Sequence, residues 1–185
     1  SPEDAWQTPL GTVPIEKRLA RLIQQQIPAV QEDAVAHLRE HSLEVQVPFL
    51  QYLRPDVTIV PICLAFGDYA GCEIVGNGIA AAVKEFDEPV LILASSDMTH
   101  YESAERAKQK DSLALECALA LDPQGLVQVC RSNRITMCGV IPAAVMLVAA
   151  KALGATSTEL VGYTTSGVVS GDYSQVVAYA AVTVS

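Results

Sequence analysis

Basic side chains are scarce in this sequence. Twelve Lys+Arg stand against 21 Asp+Glu in 185 residues, a formal net charge of −9. A surface of that sign repels phosphate backbones, which excludes general nucleic-acid binding. Long apolar runs are missing as well. The longest, Val140–Ala150, is broken by Pro142 and falls well short of the roughly 20 residues that a spanning helix needs. Neither a basic amphipathic helix nor a secretory leader is visible, so no membrane partner is expected and the expected compartment is the cytoplasm. Cysteines are few and odd in number (Cys63, Cys72, Cys117, Cys130 and Cys138), without a C-x-x-C pair. That argues against a disulfide framework and a zinc knuckle, and for reduced thiols. The phosphate-loop patterns and the G-x-S-x-G of serine hydrolases are absent too.

What is present suffices for a core. Half of the residues are hydrophobic, and a chain of this size buries about 70% of its unfolded surface. One domain over residues 1–185 is expected. Residues 1–13 read as an irregular lead-in. Pro14–Ile23 carries a helical stripe, with Pro14 at a first helical position. Ser42–Leu53 reads as a helix that Pro48 kinks or starts late. Val57–Leu64 and Pro89–Ala94 read as buried strands, the second apolar throughout as in a parallel sheet. Helices are expected over 69–86, 102–121, from Asp122-Pro123 toward Cys130, and over 139–153. Thr158–Thr164 and Gln175–Val184 read as strands. The alternation gives an α/β fold with a mostly parallel or mixed sheet flanked by helices.

The stretch Leu93-Ala-Ser-Ser-Asp97-Met-Thr-His100-Tyr101 leaves the most apolar strand and turns polar at once. In open α/β sheets, ligands bind beyond the carboxyl ends of strands. Asp97, three residues from His100, can hold an imidazole N–H and raise the basicity of the ring. The competing reading makes Ser96 and Asp97 a cap for the next helix. His41 and Glu44 are also three apart and can share a helical face toward a substrate, against the plainer reading of a solvated pair. Cys138-Gly139 precedes the Ala-rich helix, whose dipole favours a thiolate able to bind a soft metal. A small buried hydrophobe is an equal alternative there. The loop Thr165–Asp172 is either a pocket wall or a strand connection.

His41-Ser-Leu-Glu-Val-Gln-Val-Pro-Phe-Leu50, Ser95-Ser-Asp-Met-Thr-His-Tyr101, Cys138-Gly139 with Pro142, and Thr165-Ser-Gly with Ser170-Gly-Asp172 follow in that order. Together they resemble the Memo family, also called AmmeMemoRadiSam system protein B. The resemblance implies a fold similar to the catalytic subunit of class III extradiol dioxygenases. It implies a pocket holding iron or copper through two histidines and a cysteine, the cysteine matching Cys138. It also implies that His100 is the acid/base histidine, with Asp97 beside it. Tyr101, with His41 and Glu44, is expected to contact substrate. The family's two ligand histidines lie in Pro-His-Ala-Gly-Tyr and Gly-Pro-x-His segments that this sequence does not contain. The resemblance is therefore to about the last two-thirds of a family member.

Three functions follow as expectations. The first is a metal-dependent oxidoreductase or dioxygenase-like enzyme acting on a small molecule. The second is a module that binds a ligand or peptide in the same pocket without chemistry. The third is a hydrolase with Cys138 as nucleophile and His100 as base. Exposed strand edges predict a homo-oligomer.

Overall fold

Turn chemistry decides how the chain begins. The structure, a computed structural model, describes residues 4–185. β1 (Ala5–Thr8) and β2 (Gly11–Pro14) form an antiparallel hairpin pairing Ala5 with Pro14 and Thr8 with Gly11. Gly11 holds φ +122°, a conformation that costs glycine little. The expected irregular lead-in is thus a hairpin from residue 5 onward, and residues 1–3 of it lie outside the described residues. Pro14 closes β2 rather than opening a helix. Helix α1 starts later, at Lys17–Gln26, where the Glu16 side chain accepts a hydrogen bond from the Arg18 N–H.

The described residues gather into two compact units. One holds those up to Ala65 together with Ala81–Leu91, and the other holds Phe66–Ala80 and Ile92–Ser185. In the first, Val13, Ile15, Leu19, Ile23, Ile27 and Val47 are buried. Helix α2 spans Val47–Leu53 with Pro48 in its first turn, so the late start is the outcome. The 57–64 run forms no strand; among the described residues it pairs at Ile59, through a parallel bridge to Ile15. Cys63 on that run is exposed, not core as its apolar neighbours suggest. Its sulfur lies 3.4 Å from His37 Nδ1.

Helix α3, Tyr69–Glu85, supplies residues to both units. The second unit contains β3 (His100–Glu102), α4 (Ala104–Leu119), α5 (Pro123–Ser132), α6 (Val140–Ala152), β4 (Thr158–Thr165), α7 (Gly167–Ser170) and β5 (Val176–Val184). Its sheet runs β3-β5-β4, antiparallel throughout. Met98, Ala107, Ala114, Leu115, Leu126, Leu147, Val176 and Ala178 belong to the core beneath it. The α/β class holds, but the ladders differ from the expected parallel sense. Residues 89–94 form no ladder among the described residues, and Leu91 and Leu93 are exposed. Burial on both faces needs a layer packed against each face, and the exposure of Leu91 and Leu93 shows that the described residues do not supply it.

Asp122 caps α5 as its spacing predicts, accepting the Gly125 N–H at 2.9 Å. A side chain at Gly125 would strike that carboxylate, at 2.1 Å from its Oδ2. Asp122→Ala is expected to destabilise the protein by about 1 kcal/mol in urea unfolding. An unchanged midpoint would deny the cap a role.

Candidate functional site

The residues that leave the 89–94 run are held by Ala178 of β5 and by Thr136. Met98 N–H donates to Ala178 O at 2.8 Å, and Ala178 N–H returns a bond to Thr99 O at 3.0 Å. His100 N–H donates to Thr136 Oγ1 at 2.7 Å. Tyr101 then takes φ +59°, a strained value for a side-chain-bearing residue. That leaves its ring exposed, 5.9 Å from the His100 ring centroid. Ser103, not Ser96 or Asp97, caps the following helix, so the capping alternative for Asp97 is not realised.

Cys138 reaches this segment because Gly139 lets the backbones touch. A Cβ at Gly139 would sit 2.4 Å from Ser95 O and 2.5 Å from Ser96 Cβ. In its absence Gly139 N–H donates to Ser96 Oγ at 2.9 Å, and Asp97 N–H donates to the Cys138 sulfur at 3.2 Å. Ser96 Oγ in turn donates to Asp97 O at 2.7 Å.

The outcome is one cluster. One ligand atom each from Asp97, His100 and Cys138 lie within 4.8 Å of one another. His100 Nε2 is 3.5 Å from Asp97 Oδ2. Cys138 is exposed, while Asp97 and His100 are half-buried. The donors are a carboxylate oxygen, an imidazole nitrogen and a sulfur, a mixed set that suits iron or copper rather than calcium or magnesium. On donor chemistry and mutual reach, the cluster fits a transition-metal ion.

His41 and Glu44 have a different setting. Both are exposed on a turn before α2, in the first unit. No helical face carries them, because Pro48 in the first turn of α2 leaves 41–46 outside regular helix. In the 165–172 loop, Ser166 Oγ accepts the N–H of Val177, the residue paired with His100 in β5. The Asp172 carboxyl is held below its usual value by the Ser174 side chain and backbone donors.

Sequence reasoning missed a buried carboxylate beneath the cluster. Asp111 accepts from Thr99 N–H, Thr99 Oγ1 and Tyr163 OH. Lys108-Gln-Lys-Asp-Ser112 reads as a solvent face, and no local signal points to burial. Burial, with Asp111 adding to it, raises the Tyr163 phenol well above its ordinary value of 10. Burial also pushes the Cys130 thiol from 9 up to about 11. Both groups stay protonated in the native state at pH values where the unfolded chain ionises. Their contribution is therefore complete below pH 9 and fades as pH rises, for Cys130 across about 9 to 11 and for Tyr163 from 10 upward. The urea midpoint is expected to fall steadily from pH 9 to 11, and less steeply in Tyr163→Phe above pH 10. A flat profile would contradict the burial of both groups.

No helix of the described residues is long and apolar enough to cross a membrane. Compared with known proteins, residues 1–183 match the family described as Memo-like protein. The chain is 43% identical over 181 residues to a MEMO1 family protein of Methanopyrus kandleri, covering 97% of this chain and 64% of that protein. A MEMO1 family protein of Aquifex aeolicus is 45% identical over 177 residues, covering 95% of this chain and 65% of its own length. One from Methanosarcina barkeri is 42% identical over 182 residues, covering 98% and 68%. The chain thus spans 64% of the length of the Methanopyrus relative and 65% of the Aquifex one.

Proposed function

The chain belongs to the Memo-like protein family, and from that premise we propose that it serves metal-dependent oxidoreductase or dioxygenase-like chemistry on a small molecule. The observation that carries this reading is the convergence of Asp97, His100 and Cys138 within 4.8 Å. Cys138, as the soft donor, and Asp97 would hold the ion. When bound, iron or copper supplies Lewis acidity and one-electron redox chemistry.

The chain's own groups do the rest. His100, with Nε2 facing Asp97 Oδ2 at 3.5 Å, holds a proton and exchanges it with a bound molecule. Asp97 stabilises the ring when it is charged. The half-buried setting of His100 limits its exchange with bulk water. Tyr101, exposed beside it on a strained backbone, offers an aromatic face for the organic part of the substrate. The exposed sulfur of Cys138 keeps the cluster open to an incoming ligand.

Metal retention tests the reading. The protein is loaded anaerobically with Fe²⁺ or with Cu⁺, desalted, and its metal counted by mass spectrometry. A stoichiometric ion retained by the wild type is the expected result. Metal lost entirely on desalting, for both ions, would overturn it.

A further inference from the structure

Asp111 lies in the middle of α4 with no exposed surface, and its carboxylate is met by neutral donors. Oδ1 accepts Thr99 N–H at 3.0 Å and Thr99 Oγ1 at 2.7 Å, and Oδ2 accepts Tyr163 OH at 2.8 Å. The neighbouring cation does not serve it: Lys110 Nζ pairs with Glu102 and Arg134 O. Burying a carboxylate is costly, and an apolar residue of similar size would fill the space without that cost. The arrangement therefore needs a reason beyond packing. Thr99 supplies one. Its N–H and hydroxyl are committed to Asp111, and its carbonyl accepts from Ala178 N–H. It is the residue between Met98 and His100, and Asp97 lies two before it. With three polar groups fixed, Thr99 cannot rotate, and neither can the short backbone that carries both functional side chains.

We propose that Asp111 is a positioning residue: with Tyr163 it clamps Thr99, and through Thr99 it sets the separation and facing of Asp97 and His100. Asp111 itself touches neither the metal nor the substrate. The proposal rests on the reading of Asp97, His100 and Cys138 as the reactive cluster. Partners that orient a functional group from behind it alter metal affinity by about 10–100-fold when removed, and the clamp belongs in that range. Tyr163 is the more informative half, because Phe retains the ring and removes one donor only.

The test uses the whole chain without metal, at one fixed pH. The three histidines, His37, His41 and His100, give a small set of ring resonances in nitrogen–proton correlation spectra. Asp111→Asn and Tyr163→Phe are expected to broaden or shift the His100 ring signals and to leave those of His37 and His41 in place. Thr99→Ser retains the N–H and the hydroxyl and should restore the wild-type spectrum, whereas Thr99→Val should not. Copper affinity of Tyr163→Phe should fall about tenfold. If Asp111→Asn does not fold, Tyr163→Phe and the Thr99 pair decide the matter. Variants that lose stability while His100 keeps its wild-type signals would overturn the proposal and leave Asp111 as a packing group. A wild type that binds no metal, but whose His100 signals still move in these variants, would overturn the metal reading and uphold the clamp.

Discussion

Cys138→Ser is expected to weaken copper binding by a factor on the order of 100 or more, while changing stability by less than about 1 kcal/mol. The two halves of that expectation have separate causes. Removing an orienting partner already alters metal affinity by about 10–100-fold, and removing the soft donor exceeds that. Stability changes little because Cys138 is exposed and the substitution is nearly isosteric. The serine oxygen can also accept the Asp97 N–H that the sulfur accepts now at 3.2 Å. Isothermal titration with Cu⁺ under argon, beside urea unfolding of the same preparations, reads both quantities. Equal affinity in wild type and variant would remove Cys138 from the set of ligands.

Gly139→Ala carries the largest expected effect on stability, about 2–3 kcal/mol, the upper part of the range for overpacking a close contact. The new Cβ would lie 2.4 Å from the carbonyl oxygen of Ser95 and 2.8 Å from Ser96 Oγ. The first of these is backbone, so the 95–97 segment has to move. Its movement would break the Gly139 N–H bond to Ser96 and draw Asp97 away from Cys138. Backbone strain contributes nothing, since Gly139 sits at φ −97°, open to any residue. The whole cost is therefore steric. In a chain of this size each kcal/mol lowers the melting temperature by about 2–4 °C, so a loss of several degrees is expected together with weaker metal binding. A melting temperature within about 1 °C of wild type would show that the two backbones do not approach as closely as described.

The reach of sequence reasoning varied with how local each cause was. Asp97, His100 and Cys138 were legible because each departs abruptly from its surroundings: a polar run after an apolar one, and a thiol just before a helix. The Asp122 cap and the late start at Pro48 were legible for the same reason, being decided within four residues. Asp111 was not, since its burial depends on Tyr163 and Thr99, which are 52 and 12 residues away. The hairpin at 5–14 was hidden by Pro14, which fits a strand end as well as a helix start. That the 89–94 run forms no ladder among the described residues and leaves Leu91 and Leu93 exposed was beyond reach, because an apolar run does not specify what packs against it. Spacing left His41 and Glu44 open between a shared helical face and a solvated pair before a helix, and the second is the outcome, since both are exposed and the helix begins only at Val47.

X-ray absorption at the copper edge of the loaded protein tests the central claim most directly, because it reads the donor atoms bound to the ion. One sulfur scatterer in the first shell, lost in Cys138→Ser, is the predicted result. A first shell of nitrogen and oxygen alone in the wild type would contradict the assignment of Cys138 as a residue that holds the metal.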